Sequence, residues 1–259
     1  MERIRKSRAS TSEAARKYRQ DGHDDALKFA QAIGLDIDYQ NDHIAKKDVV
    51  DKSGDTHSVK SGKKKWQIFL YGVNRFKNDN SFRAMNGIGD ILINCINSFP
   101  NERSVYENDK SKYKEILATN MVTLAEKLQE KYRLSAFINK SMFNGGEVNY
   151  LTIYENNKFH VFWGKEVEKL MSEKLEVTNS IARTAGQYSN QKVLLRYKGV
   201  NLGEIEMRND SDVHYREVRF NMYKAKVVNL LFENILTKTA YNEDVIMYGE
   251  AIKKFGKWK

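Results

Sequence analysis

The sequence has very little cysteine, very little proline and no long apolar run, and each shortage excludes a class of protein. Its single cysteine, Cys95, cannot build a disulfide framework or a cysteine-based zinc site. Its single proline, Pro100, leaves no proline-rich linker, so the chain is expected to pack as one body. No apolar run approaches the roughly 20 residues that cross a membrane. No apolar signal core follows the basic N-terminus. A cytoplasmic protein is therefore expected.

The composition is that of a folded, basic protein. Hydrophobic residues make up 41% of 259 positions, enough for one large domain or two small ones. Lysine and arginine outnumber aspartate and glutamate by 44 to 34, which gives a net charge of +10. This excess favours a polyanionic partner such as nucleic acid, although a solvated lysine-rich surface is the simpler alternative.

The order of the predicted elements indicates the fold class. A helical pattern over residues 11–33, with Gly34 as its stop, precedes a β-hairpin over residues 44–62. An amphipathic helix over 111–132 and alternating strands and helices follow, including a hairpin around residues 155–158. The segment WQIFLYGVNRF fits either a strand or a buried helix. The prediction is an α/β (α+β) fold with a mixed β-sheet flanked by helices.

The first hairpin, KKDVVDKSGDTHSVKSG at residues 46–62, carries the most chemistry. A three-residue loop at 53–55 would set Asp48 opposite Lys60 and Val50 opposite Ser58, because paired residues share a face of the sheet. A two-residue loop would put Asp48 and Lys60 on opposite faces. The first register therefore predicts a carboxylate, a hydroxyl and an amine on one surface.

Such a cluster has two interpretations. One interpretation is a surface ion pair of little energetic value. Alternatively, Asp48 and the carbonyl of Val59 bind Mg²⁺, and Lys60 positions or deprotonates a water that attacks a phosphate. In the proposed register His57 points away from Asp48, so a general-base role for this histidine is disfavoured.

The segments Lys47-Asp48 and Ser58-Val59-Lys60 resemble the motif of the PD-(D/E)XK nuclease superfamily, and Gln67 and Tyr71 fit the Gln-x-x-x-Tyr pattern of some members. The resemblance covers about residues 13–75. It implies a type II restriction endonuclease-like core, which we place in residues 1–135, with residues 136–259 contributing DNA recognition. It further implies hydrolysis of double-stranded DNA with Mg²⁺, no small-molecule cofactor, and a homodimer if a palindrome is cut on both strands.

One departure from that pattern is Ser58, which stands where the family has an acid. The missing carboxylate is expected from the N-terminal helices, with Asp25 as the first choice and Asp24 and Glu13 as the other candidates. Asp51 and Asp55 are interpreted as turn residues.

Candidate DNA contacts fall in two groups. The first follows the hairpin in a stretch without acids and would hold phosphates: Lys63, Lys64, Lys65 and Arg75. The second lies in the segment 204–221 and would read bases: Arg208, Asn209, His214, Arg216 and Arg219. These strand charges could instead pair with one another, and Glu204 and Glu206 could themselves bind a metal. A non-catalytic nucleic-acid-binding protein, a nonspecific or repair nuclease, and an RNA-acting protein remain alternatives.

Overall fold

The computed structural model describes residues 12–36, 48–62, 64–209 and 212–256. Within them the helices are α1 (Ser12–Ala32), α2 (Val73–Asn78), α3 (Asn80–Ala84), α4 (Ile88–Asn97), α5 (Arg103–Asn108), α6 (Lys110–Leu128), α7 (Lys131–Phe143), α8 (Gly164–Lys174), α9 (Lys224–Asn234) and α10 (Ala251–Lys254). The strands are β1 (Val49–Val50), β2 (Thr56–Lys60), β3 (Lys65–Tyr71), β4 (Tyr150–Glu155), β5 (Lys158–Trp163), β6 (Glu176–Asn179), β7 (Lys192–Tyr197), β8 (Val200–Arg208), β9 (Glu217–Tyr223), β10 (Lys238–Ala240) and β11 (Val245–Tyr248).

The strands form two sheets. The first has the order β1-β2-β4-β5-β11-β10 and is mixed, because β2 runs parallel to β4 and β11 runs parallel to β5. The second is antiparallel, with the order β3-β9-β8-β7-β6. A mixed sheet flanked by helices confirms the predicted α/β class.

Both sheets combine strands from the ranges 1–135 and 136–259. The first sheet joins β1 and β2 to later strands, and the second places β3 beside β9. Position 135 itself lies inside α7 (Lys131–Phe143). The hairpin that carries the predicted motif is therefore built into a sheet whose other strands come from the second half of the chain.

Helix α1 packs on one face of the first sheet. Its buried residues Ala26, Phe29, Ala30 and Ile33 follow helical spacing and contact Val49, Tyr150, Phe159 and Val161, together with Phe255. The helix ends at Ala32, and Gly34, the predicted stop, follows with a φ of +78° that suits a left-handed residue after a helix. The amide of Leu35 donates to the carbonyl of Ala30 and the amide of Gly34 to that of Gln31, which caps the last turn.

The opposite face of the first sheet belongs to the main core. Leu151, Ile153 and Phe162 of this face join a cluster with the buried sides of α4, α6, α7, α8 and α9. The apolar face of the second sheet, with Val193, Ile205 and Phe220, joins the same cluster. One continuous core thus holds the two sheets together.

In the part of the chain that the structure describes, no helix combines the length and the apolar character that a membrane span requires.

Candidate active site

The hairpin between β1 and β2 turns one residue earlier than predicted. Val49 pairs with His57 and Val50 with Thr56, so the loop is 52–54 and the expected loop at 53–55 is wrong. Asp51 explains the shift, because its Oδ1 accepts hydrogen bonds from the amide and hydroxyl of Ser53, at 2.8 and 2.6 Å, and from the amide of Asp55 at 3.0 Å. Asp51 is thus a turn residue, as expected.

The error in the loop does not change the face that the side chains occupy. Moving the loop by one residue on both arms shifts each pairing by two positions, and residues two apart share a face. Asp48, Ser58 and Lys60 therefore still lie on one surface of the hairpin. The predicted direct pairing of Asp48 with Lys60 is replaced by a cluster in which Ser58 lies between them.

Within this cluster the contacts are short. Lys60 Nζ donates to the hydroxyl of Ser58 at 2.6 Å and lies 3.7 Å from Asp48 Oδ2. The same carboxylate oxygen accepts from the amide of Val59 at 2.7 Å and from Ser58 Oγ at 3.3 Å. Ser58 is buried, whereas the side chains of Asp48 and Lys60 are 36% and 25% exposed. Hydrogen bonds with Ser58 and Val59 hold the acid and the amine in place, while part of each side chain remains exposed to solvent.

His57 lies on the other face and is fully buried. Its ring packs between Phe29 and Tyr150, at centroid distances of 4.9 and 4.7 Å. Nδ1 is 3.0 Å from Thr152 Oγ1, and Nε2 is 3.4 Å from Asp51 Oδ2. Burial lowers the pKa of His57, with Asp51 acting in the opposite direction. The histidine anchors the hairpin to α1 and β4 and does not face Asp48.

The structure does not bring Asp25 to the cluster. Its helix covers the His57 face of the sheet, and its carboxylate pairs with Lys28 at 3.1 Å. Among the described residues no hydrogen bond or ion pair joins Asp25 to Asp48 or Lys60. Glu13 belongs to α1, but its side chain lies outside the described residues. A second acid from α1 remains a prediction that this arrangement does not favour.

The described residues contain no group of three or more His, Cys, Asp or Glu side chains arranged to hold a metal. Asp48 Oδ2 is occupied by hydrogen bonds, and no described residue bonds its Oδ1. The amide of Val59, and not the predicted carbonyl, is the group seen to contact Asp48. One available carboxylate oxygen fits Mg²⁺ only if water and phosphate oxygens complete the shell, which is a common arrangement for this ion.

Lys224 is a residue that the sequence interpretation missed. Its buried amine donates to the carbonyls of Tyr154 and Ser61, at 2.7 and 3.2 Å, and pairs with Glu155 at 2.6 Å. Its amide donates to the carbonyl of Lys64. Lys224 thereby ties the end of β2, directly after Lys60, to β4 and to the start of α9. Nothing in the local sequence distinguishes this lysine from a surface one.

The cations predicted to hold phosphates behave differently from one another. Lys64 is exposed, and no described residue forms an ion pair with it. Lys65 pairs with Glu204 at 2.8 Å and lies over the ring of Tyr223. Arg75 pairs with Asp79 at 3.3 Å. Lys63 lies outside the described residues.

The predicted base-reading residues are largely engaged in internal contacts. Arg219 Nε donates to Glu206 at 3.0 Å, and His214 pairs with Glu217 at 2.7 Å. Further contacts join Arg216 to Asn97 and Asn101, and Asn209 to Tyr106. Arg208 lines a cavity of about 210 Å³ together with Lys192, Glu206 and Arg219.

Glu204 and Glu206 form a nearly buried charge network on the polar face of the second sheet. Lys65 and Lys192 bind the two oxygens of Glu204, at 2.8 and 3.2 Å, and Lys192 also lies 2.5 Å from Glu206. Burial raises the pKa of Glu204, but the hydrogen bond from Lys65 and the charge of Lys192 outweigh it, so its pKa is lowered. In this structure the carboxylates of Glu204 and Glu206 form ion pairs with lysine and arginine side chains.

The Gln67–Tyr71 pair does not converge on one surface. Gln67 pairs with Asn221 and Tyr71 with Val218, and a β-bulge lies between Gln67 and Phe69. Because the bulge shifts the alternation of side chains, Gln67 lies on the polar face and Tyr71 packs in the core against Phe69 and Phe82.

Comparison with protein-family models, with curated proteins and with solved structures found no match to this chain. The site is therefore interpreted from its own geometry. That geometry consists of the Asp48–Ser58–Lys60 cluster, its anchor at Lys224, and the adjacent polar face of the second sheet.

Proposed function

We propose that the protein is a Mg²⁺-dependent, site-specific endonuclease of double-stranded DNA, similar to type II restriction enzymes. The observation that carries the proposal is the lysine amine 2.6 Å from Ser58 and 3.7 Å from the partly exposed carboxylate of Asp48. An amine and an acid held together at the solvent-exposed end of a hairpin suit hydrolysis of a phosphodiester. The positive net charge of +10 suits the polyanionic substrate.

We assign each residue of the cluster a part in the proposed reaction. Asp48 offers an oxygen to the cation, and the amide of Val59 holds that carboxylate in place. Lys60 orients the attacking water and stabilises the negative charge that develops on the phosphate. Water adds to phosphorus as the bond to the 3′ oxygen breaks, which leaves a 5′-phosphate and a 3′-hydroxyl. When bound, Mg²⁺ polarises the phosphate and lowers the pKa of its water.

Among the described residues the cluster offers a single carboxylate, Asp48, and this has a consequence for metal binding. A hard cation that finds one protein oxygen must take its other ligands from water and from the scissile phosphate. Metal and DNA are therefore expected to bind together, with weak binding of Mg²⁺ by the free protein. Isothermal titration with Mg²⁺ in the presence and absence of a short duplex measures this coupling.

The test of the function is cleavage of plasmid DNA with Mg²⁺ and with EDTA. Discrete fragments that require Mg²⁺ and disappear in Lys60→Ala and Asp48→Asn are expected. Lys253→Ala is the matched control, because Lys253 also pairs with an acid, Glu250, on an exposed surface. Full cleavage by Lys60→Ala would refute the assignment of the cluster. Smeared products would indicate a nonspecific or repair nuclease.

One observation favours a second candidate, a non-catalytic nucleic-acid-binding protein. The described residues offer no acidic cluster for a metal, so the Asp48–Lys60 pair can also be a simple ion pair. This protein would retard plasmid DNA without cutting it, and Lys60→Ala would bind as wild type does. The same gel therefore separates the two candidates.

A further inference from the structure

The polar face of the second sheet carries two side-chain amides side by side. Gln67 of β3 and Asn221 of β9 are directly paired, so their side chains lie on the same face, and Glu204 of β8 continues the row. Gln67 is exposed, whereas Asn221 is 5% exposed. Neither amide group forms a hydrogen bond with any residue that the structure describes.

Asn221 is nearly buried as a residue, but its amide is not among the fully buried unpaired groups of the described residues, so it keeps contact with solvent. An amide that is satisfied by water can exchange that water for a ligand. The neighbouring polar residues do not supply a partner, because Glu204 is occupied on both oxygens by Lys65 and Lys192. The row thus combines a fixed, satisfied carboxylate with two amides whose donors and acceptors remain available to a ligand.

The position of these amides in the sheet suits duplex DNA. Strand β3 is the edge of the sheet, so β3 and β9 form a two-stranded ribbon at its border. A ribbon of this kind fits the major groove of B-DNA, which is roughly 12 Å wide. The seven residues of β3 span roughly 20 Å, so its two ends reach the backbones that border the groove.

Exposed cations precede and follow β3 along the chain. Lys64 precedes β3, and Lys77 lies in the helix that follows it. Both are exposed, and neither forms an ion pair with a described residue. Lysines in these places would bind phosphates and fix the ribbon, while the amides between them face the bases.

We propose that the β3–β9 ribbon reads the DNA sequence, with Gln67 and Asn221 contacting adenine. This inference rests on the proposed function, since it identifies what gives that nuclease its specificity. One side-chain amide can bind one adenine through two hydrogen bonds: the amide oxygen accepts from the adenine N6 amino group, and the amide nitrogen donates to N7. The DNA site that the ribbon reads therefore contains A·T pairs. The residues predicted from the sequence to read bases serve chiefly to stabilise this surface through internal contacts: Arg208, Asn209, His214, Arg216 and Arg219.

The experiment begins by finding the target duplex of the wild-type chain, through cleavage mapping or, if the chain does not cut, through selection of bound sequences from a pool of random duplexes. Binding of that duplex and of versions with each A·T pair replaced is then measured for wild type, Gln67→Ala and Asn221→Ser, with Ca²⁺ in place of Mg²⁺. Each variant is expected to lose roughly 5- to 150-fold in the preference for the target, confined to A·T positions. Gln31→Ala, an exposed amide on α1, is the matched control and keeps the preference.

Lys64→Ala provides the contrast between phosphate and base contacts. It should weaken binding to all duplexes alike and reduce the salt dependence by about one charge. Melting temperatures check folding, and Gln67→Ala, at an exposed position, tests the inference even if Asn221→Ser is unstable.

The outcomes separate this inference from the function on which it rests. One outcome is discrete Mg²⁺-dependent cleavage in which both variants keep their binding preference for the target duplex within about twofold. This outcome overturns the reading role of the ribbon and agrees with the proposed nuclease function. Selective binding that is lost in Gln67→Ala without any cleavage overturns the nuclease and supports the ribbon. Binding without sequence preference, or equal competition by duplex RNA, whose major groove is deep and narrow, overturns the ribbon as a DNA reader.

Discussion

The amine of Lys60 reaches Asp48 across a serine, with Ser58 Oγ 2.6 Å from the lysine and 3.3 Å from the carboxylate. In the proposed nuclease, Ser58 therefore occupies the place at which a second acid would meet the cation. The hydroxyl accepts a hydrogen bond from the charged amine, donates one to the charged carboxylate, and adds no negative charge of its own to the cluster.

Restoring that acid should change the response of the protein to metal. In Ser58→Asp two carboxylates lie close together at a buried position, so the metal-free protein is expected to lose about 1–3 kcal/mol of stability. Mg²⁺ should recover this loss, because a ligand that binds only the folded state at about 100 times its Kd stabilises by about 2.7 kcal/mol. Thermal melting with and without Mg²⁺ measures the effect.

Ser58→Ala is the control for this substitution, because it removes the hydroxyl without adding a charge. Its melting temperature should respond to Mg²⁺ no more than that of wild type. An equal response in Ser58→Asp and wild type would show that Asp48 and residue 58 do not face a common cation.

The buried His57 predicts a pH dependence of stability. Its native pKa is lowered from 6.5, so the unfolded chain gains a proton that the folded chain does not bind as pH falls below this value. The contribution of His57 to the free energy of unfolding is complete at pH values above its pKa in the unfolded chain. This contribution is lost as the pH falls toward its lower pKa in the folded protein. His57→Phe keeps a ring beside Phe29 and Tyr150 but removes this loss.

At about pH 7.5 the His57→Phe protein should be less stable by about 1–3 kcal/mol, because Asp51 and Thr152 lose a partner. The gap between wild type and variant should narrow at about pH 5.5. Urea denaturation at both values measures it. The other buried histidine, His160, is present in both proteins and cancels. A constant gap contradicts the prediction.

The charge network of the second sheet predicts a contrast between two lysines. Lys192→Met leaves Glu204 and Glu206 without their shared cation and should cost about 1–2 kcal/mol, a value reduced because 37% of the lysine side chain is exposed. Lys198→Met removes an exposed pair with Glu233 and should cause no measurable change. Chemical denaturation of both variants provides the comparison, and equal effects would argue against a cooperative network.

Cys95 is expected to be chemically inert in the folded protein. Burial raises the pKa of its thiol to about 12, so little thiolate exists near neutral pH. A chromogenic disulfide reagent should modify the native protein at least about a thousandfold more slowly than the protein in guanidinium. Fast modification of the native chain would place Cys95 at the surface, contrary to its burial in α4.

The sequence predicts what depends on local alternation. The same-face placement of Asp48 and Lys60 follows from the period of two along a strand, and it survives an error of one residue in the loop. The turn at residues 155–158 was also predictable, because Asn156 and Asn157 accept the positive φ of a tight hairpin.

Contacts between segments that are far apart in the chain could not be predicted from the sequence. Nothing near Lys65 indicates that its strand leaves the first sheet and pairs with β9, some 150 residues later. The ion pair between Lys65 and Glu204 and the buried position of Lys224 both follow from this pairing of β3 with β9. The same pairing explains why a residue in the Gln-x-x-x-Tyr pattern, Gln67, lies on a different surface from the hairpin cluster.

Only the four residues 61–64 separate β2 from β3, and Lys224 binds the carbonyls of Ser61 and Lys64 between them. This short connection joins the two proposed surfaces. Strand β2 ends at Lys60 and strand β3 begins at Lys65, in a different sheet. If one surface cuts and the other reads, the number of base pairs between the recognised bases and the scissile bond is set by this covalent span. Exchanging the reading side chains should then alter which sequence is chosen while the cleavage offset stays constant.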